Sequence, residues 1–351
     1  MLETARDALF LAGLPASQLP WTYLAIAAAA AALASVRRPP GRSALGRHDL
    51  SALLLLCAGV TAALWALDAR SPWVLRALYV WTGVNATVTS LHFWLVLGER
   101  WTVGQAKRLY GVVATAGLVG GVAGAALARV LAGTAGPDAL VLASALALAA
   151  TAAGPAVLVR SPGHAARPPP LPIAASVRLV RRHPYTRGLA VLALASTVAF
   201  TAVDFVFKSS VARQVAPHEL PEFFASFYAV VNALALAGQV LATGWLLRVF
   251  GLPRVQWVLP ALLAVGSAGV VGGVGILAAV LAKLVDGTLR EGHRTTSELL
   301  LVPVPDDLRA RAKPMLEIVA RRGGQALASL GILGATALPH AERWVAGAAL
   351  V

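Results

Sequence analysis

The chain has 351 residues, 58% of them hydrophobic and only 13% charged, with a net charge of +14. Its mean hydropathy is +0.72. A soluble fold of this length has too little interior to hide that apolar surface, and the charged share is about half that of soluble domains. The composition therefore excludes an ordinary soluble enzyme and points to an all-α, polytopic membrane protein whose apolar faces are covered by lipid.

In chain order, about ten segments are long and apolar enough to span a bilayer, at roughly 19–36, 49–67, 72–97, 109–132, 138–159, 188–206, 222–248, 254–274, 276–292 and 314–338. They are too long for membrane strands and lack period-two alternation. The loops between them alternate in charge. Arg37, Arg38, Arg42 and Arg47 crowd the first, and Arg100, Lys107 and Arg108 the third. The long segment 160–187 carries Arg160, Arg167, Arg178, Arg181, Arg182 and Arg187. Arg248 and Arg254 flank 249–254, and 293–313 carries Arg294, Arg309, Arg311 and Lys313. The intervening loops are short or nearly charge-balanced. By the positive-inside rule the basic loops face the cytoplasm across a cell inner membrane. That accounts for the net charge better than nucleic-acid binding does.

This pattern divides the chain into an N-terminal helical bundle (1–160), a cytoplasmic basic, Pro-rich linker (161–187) and a C-terminal helical bundle (188–351). Pro168, Pro169 and Pro170 keep part of the linker extended, while "SVRLVRRH" at 176–183 reads as a short amphipathic helix on the inner membrane surface. Two helical halves joined by a cytoplasmic linker is the plan of a two-bundle transporter. Both termini then lie outside, and "RWVAGAALV" at 343–351 reads as the beginning of a further span. A six-plus-six arrangement with its first and last spans beyond the chain would look like this.

Ionisable residues inside spans carry the most information, because each costs about 2.5–3.5 kcal/mol on insertion scales unless it faces protein or water. In the ninth span Lys283, Asp286, Arg290 and Arg294 are spaced three, four and four apart, which stacks them on one helical face. One reading is a basic stripe facing a central cavity, with Asp286 setting its charge; the other is an ion-pair ladder that only locks helices. Lys313, Glu317, Arg321 and Gln325 recur every four residues at the start of the tenth span, with Arg322 alongside. This second stripe reads as a gate or as a solvated helix end. Asp204 and Lys208 stand four apart toward the outer end of the sixth span, in the favourable order for a helical pair. Asn232 and Gln239 share a face of the seventh span, and Asn85 lies mid-span in the third with Thr82, Thr89 and His92 nearby; each polar group reads as substrate contact or as interhelical hydrogen bonding. Arg76 can snorkel.

The remaining motifs point away from catalysis. Cys57 is the one cysteine; it excludes an intrachain disulfide and a cysteine-cluster metal site, and reads as a small buried hydrophobe. The histidines are scattered, so no metal and no cofactor is expected. "GLVGGVAGAALA" pairs Gly117 with Gly121 and Gly120 with Gly124 at GxxxG spacing, which suits close helix approach. No Gly-Lys-Ser/Thr follows, so it is not a phosphate loop. There is no nucleophile elbow, acid pair in a soluble segment or Rossmann fingerprint.

Several stretches resemble bacterial and plastid ATP/ADP translocases. "LHFWLVLGERWTVGQAKRLYGVVATAGLVGGVAGA" (91–125) is similar to the region where a Phe-Trp leads through a cytoplasmic loop to Ala-Lys-Arg and a Gly-rich span. "TARDALFLAGLPASQLPWTYL" (4–24) is similar to the stretch that follows the first span. "DFVFK" (204–208), "FFASFYAVVN" (223–232) and, most specifically, 284–327 resemble the C-terminal half of translocase-like proteins in free-living bacteria, a branch of the major facilitator superfamily. The resemblance implies a twelve-span fold and nucleotide exchange as the prototype activity, with Lys107–Arg108 marking a cytoplasmic loop.

Together these features predict a secondary transporter of an organic anion, with nucleotide the instance that the resemblance implies. Lys283, Asp286, Arg290, Asn232 and Asn85 are the expected substrate contacts, and Asp204, Lys208, Lys313, Glu317 and Arg321 the expected gating or ion-pair groups. The alternative is a non-transporting scaffold or sensor that keeps the transporter fold. A lipid-acting enzyme lacks any nucleophile or metal site. Membrane lipids and an anionic small molecule are the expected partners, and nucleic acid is not.

Overall fold

The computed structural model describes residues 1–35, 47–67, 71–100, 103–157, 173–239, 275–300 and 316–336, with isolated positions at 259, 262, 263, 265, 268, 304, 308 and 345. All regular elements among them are helical. They are α1 (Leu2–Gly13), α2 (Leu19–Ser35), α3 (Arg47–Ala66), α4 (Pro72–Arg100), α5 (Val103–Thr134), α6 (Gly136–Thr151), α7 (Gly154–Val157), α8 (Ile173–Arg182), α9 (Pro184–Gln214), α10 (Leu220–Ala237), α11 (Ile276–Leu299) and α12 (Gly323–Thr336). A π-helical turn, Leu316–Arg322, runs directly into α12.

The expected spans match these helices to within a few residues at most ends. The expected span at 254–274 lies almost wholly outside the described residues. By length and composition alone, Thr115–Thr134, Pro184–Gln214 and Leu220–Ala237 are long and apolar enough to cross a membrane among the described residues, and Leu50–Ala66 and Gly136–Thr151 are shorter apolar helices. Leu56, Leu146, Val191, Val265 and Leu330 stay exposed on outer faces. Apolar side chains on the outside of apolar helices suit a lipid surround.

The helices gather into two compact units. One comprises Met1–Leu14, Arg37–Ala166 and Ala216–Ala233; the other comprises Pro15–Val36, Arg167–Val215 and Leu234–Val351. Each unit thus draws a segment from the opposite half of the sequence. In the first, α3 packs on α6 and α4, and α1 packs on α4 and α6. Ala5, Leu78, Ala128, Leu140, Val141 and Ala225 form its buried apolar cluster. In the second, α9 packs on α11, α12 and α8, and α12 packs on α2. Small residues let these backbones approach. At Gly324 an added Cβ would stand 2.7 Å from the Leu194 carbonyl oxygen and 3.0 Å from Thr197 Cβ.

Gly324→Ala therefore forces α12 away from α9, because a backbone oxygen cannot rotate aside. The expected loss is about 1–3 kcal/mol, read as a lower unfolding midpoint in detergent. Gly331, on the same helix, has nothing within 4 Å of its added Cβ. Gly331→Ala should be neutral or slightly stabilising. Equal effects of the two substitutions would contradict close packing at Gly324.

The GxxxG pairs of α5 behave unequally. A Cβ at Gly121 would meet Asn232 Oδ1 at 2.9 Å, whereas Gly117, Gly120 and Gly124 have open space. Among the described glycines of this helix, close approach is confined to Gly121.

Candidate functional site

The second unit buries a continuous network of charge among its described residues. On α9, Asp204 and Lys208 stand one turn apart, and Lys208 Nζ lies 2.9 Å from Asp204 Oδ2. From α2, the Tyr23 hydroxyl donates to the same oxygen at 2.7 Å. The other carboxylate oxygen of Asp204 meets Lys283 Nζ of α11 at 2.6 Å. Lys283 also reaches Asp286 Oδ2, one turn along its own helix, at 3.1 Å. Arg290 completes the chain, its Nε donating to Asp286 Oδ1 at 3.0 Å and its Nη2 to Oδ2. Phe200, one turn before Asp204, lies under the Arg290 guanidinium at 5.0 Å and meets the His293 ring edge-on.

Burying an ion is expensive unless its partners satisfy it. Both oxygens of Asp204 and both of Asp286 receive donors, so the network satisfies its carboxylates completely. Exposure varies along it. The Lys208, Asp286 and Lys283 side chains are 2%, 0% and 9% exposed, Asp204 is 18% exposed, and Arg290 is 43% exposed. The network is buried at its Lys208 end, and the Arg290 side chain at the other end is its most exposed member.

The three-and-four spacing of Lys283, Asp286 and Arg290 stacks them as expected. Asp204 and Lys208, expected as a separate outer pair, are part of the same assembly because Lys283 bridges α11 to α9. Tyr23 and Phe200 carried no sequence signal beyond being aromatic residues in apolar runs. The Arg294 side chain lies outside the described residues.

The second stripe is only partly described. Lys313 and the Glu317 side chain lie outside the described residues. Arg321 is half-buried, and Arg322 Nη1 donates to Gln325 Oε1 at 2.8 Å. Its four-residue spacing presumes an α-helical period, but Leu316–Arg322 is π-helical. The i→i+5 bonding of a π turn widens that period.

The expected asparagine contacts sit in the first unit. Asn232 Nδ2 donates to the Tyr228 carbonyl at 2.8 Å while its Oδ1 crowds Gly121. Asn85 is buried, and its Oδ1 has no hydrogen-bond partner among the described residues. Thr82 and Thr89 donate to the backbone of their own helix, and the His92 Nδ1 pairs with the Val88 carbonyl at 2.8 Å.

The same unit holds a second ionic cluster in a segment expected to be an outer tail. Arg6 forks onto Asp7, with Nε to Oδ1 at 2.8 Å and Nη2 to Oδ2 at 2.9 Å. The Tyr228 hydroxyl donates to Asp7 Oδ2 at 2.6 Å, and the guanidinium covers the Tyr79 ring at 4.7 Å. Asp7 is fully buried. The helical recurrence of Ala5, Ala8 and Leu11 was the signal for a packed α1. Among the described residues no group of three or more His, Cys, Asp or Glu is placed to hold a metal ion.

No protein-family model and no curated protein matches the chain. Among solved structures it is similar to the crystal structure of the nucleoside transporter NupG, with a TM-score of 0.61 and 12% sequence identity, over 99% of this chain and 93% of that one. At that identity the likeness is one of fold. The chain is all-helical among its described residues, shares the fold of that transporter structure, and has three described helices long and apolar enough to cross a membrane.

Proposed function

We propose that this protein is a secondary transporter of an organic anion, working by alternating access, and that Arg290 is the group the anion meets. The observation that carries this reading is that Arg290, at one end of the charge network, is its most exposed member, while Lys208 at the other end is buried. A guanidinium offers paired donors to carboxylate or phosphate oxygens, and such charge-assisted bonds strengthen away from bulk water. An arriving anion would compete with Asp286 for Arg290. Asp286 would then rest on Lys283, which already contacts it at 3.1 Å. Occupancy would thereby pass from α11 to Asp204 on α9 without stranding a buried ion. The basic loops and central linker lie on the cytoplasmic side of an inner membrane in this reading, and two helical bundles would alternate about the site. Asn85 and Asn232 would contribute polar contacts, and Lys313, Glu317 and Arg321 a gate.

The cargo remains open between two classes. Nucleotides follow from the sequence resemblance to ATP/ADP translocases. Neutral nucleosides follow from the named cargo of the structure the chain resembles. The exposed cation favours the anionic class. A non-transporting scaffold is favoured by a different observation: Lys283 already bonds two carboxylates and fastens α11 to α9.

Uptake by purified protein in liposomes separates these readings. Labelled nucleoside phosphates should enter with the wild type, and Arg290→Gln should reduce that uptake by about tenfold or more, the worth of one charge-assisted bond. Uptake confined to nucleosides, unchanged in the variant, would refute the anion assignment. A wild type that moves no member of either class, with Arg290→Gln altering stability alone, would favour the scaffold.

A further inference from the structure

The segment that enters the sixth span carries a basic surface that the transport reading does not use. Between Asp138 and Asp204 the sequence has no acidic residue, yet it holds Arg160, Arg167, Arg178, Arg181, Arg182 and Arg187. Within it, α8 has two unlike faces. Val180 is buried against Val304 and Leu316, with Val177, Leu189, Ala190 and Leu308 packed around them. Arg181, Arg182 and Arg187 are exposed, and none of their side chains has an ion-pair or hydrogen-bond partner among the described residues. The apolar stripe of this amphipathic helix is thus occupied by the protein itself, and its basic side is left over.

The corner between α8 and α9 is rigid. Thr186 is buried, and its hydroxyl donates to the Val180 and His183 carbonyls at 3.2 and 3.1 Å. Pro184 opens α9, and the Arg187 N–H donates to the His183 carbonyl at 2.9 Å. The three arginines are therefore held within two turns of the start of a helix long and apolar enough to cross a membrane. Tyr185, 48% exposed, stands among them and donates to the Leu300 carbonyl. An amphipathic aromatic beside cations at a span end is the composition of the headgroup layer.

We propose that Arg181, Arg182 and Arg187 form a docking surface for the phosphate headgroups of anionic phospholipids. Charge complementarity commits the surface to that partner, because lipid phosphates lie at the depth where α9 begins and juxtamembrane cations attract anionic leaflets. The inference rests on α9 as a span and not on the identity of the cargo.

The test uses the full chain in nanodiscs of phosphatidylcholine with or without phosphatidylglycerol, beside an Arg181→Gln/Arg182→Gln/Arg187→Gln variant. Phosphatidylglycerol should raise the wild-type unfolding midpoint, and native mass spectrometry should find it enriched among retained lipids. The variant should bind it about tenfold or more weakly. Because the three side chains are exposed, the variant should fold, and its midpoint in phosphatidylcholine alone should match the wild type. Equal phosphatidylglycerol retention by both proteins would overturn the proposal. So would a midpoint rise of the same size with sodium phosphate in pure phosphatidylcholine, since a soluble anion would then suffice.

Discussion

Lys283→Ala is expected to abolish uptake and to lower the unfolding midpoint while leaving the protein inserted in the membrane. Lys283 contacts both carboxylates of the network. Without it Asp204 keeps Lys208 and Tyr23, and Asp286 keeps Arg290. The loss therefore falls near the lower end of the range for breaking a buried ion pair, about 3 kcal/mol. Insertion is governed by the apolar length of the spans, which the substitution leaves intact. Transport is affected differently, because the link from the Arg290 end to α9 runs through the missing ammonium. Adding Asp204→Asn strips the buried Lys208 of its carboxylate, so the double variant should be less stable than Lys283→Ala and should recover none of the uptake. Stability would be followed by thermal unfolding in detergent and uptake in liposomes. Wild-type uptake by Lys283→Ala would sink the carrier assignment for this network, whatever the protein's stability.

The helices were legible because lipid makes the signal coarse. An apolar run near twenty residues needs no partner to be recognised, so the ends of α2, α3 and α4 fell within a few residues of expectation. Lys283, Asp286 and Arg290 were legible for a similar reason: spacing along one helix fixes which side chains share its face. The bridge from Lys283 to Asp204 was not, because it joins residues 79 positions apart on two helices, and one sequence carries no record of which helices touch. Tyr23 was hidden likewise. The π turn at Leu316–Arg322 was invisible because an extra backbone residue in a helical repeat has no compositional mark. In α1, the error was one of length. Twelve residues are too few to span, and a short helix with an Arg-Asp pair in it resembles a tail until its packing partners are known.

Asp7→Ala should be among the most destabilising single substitutions in the first unit. The carboxylate is fully buried and receives the forked guanidinium of Arg6 and the hydroxyl of Tyr228. Removing it leaves a guanidinium that is 11% exposed against the ring of Tyr79, without the counterion that made its burial tolerable. Cation–π contact returns about 2 kcal/mol at best, whereas breaking a buried pair by deleting one partner costs about 3–5 kcal/mol. The guanidinium can also reach Glu3, 3.9 Å away, but that side chain is 63% exposed and an exposed pair contributes under about 1 kcal/mol. The net expectation is a lower unfolding midpoint and a shift to aggregates on size exclusion. Tyr228→Phe deletes one neutral donor to a carboxylate that keeps both Arg6 bonds, so its loss should be about 1–2 kcal/mol. The paired change Arg6→Leu/Asp7→Leu removes both ions and should be milder than Asp7→Ala, since no bare charge remains. That ordering identifies the cluster as a helix fastener: the Asp7 carboxylate joins α1 to α10 through Tyr228, and Arg6 lets it remain ionised there. If Asp7→Ala unfolded at the wild-type midpoint, or if the double change were the worse of the two, Asp7 would have to be neutral or solvated in the protein, and α1 would owe its place to the contact of Phe10 with Tyr79 at 4.8 Å and the apolar cluster around Ala5.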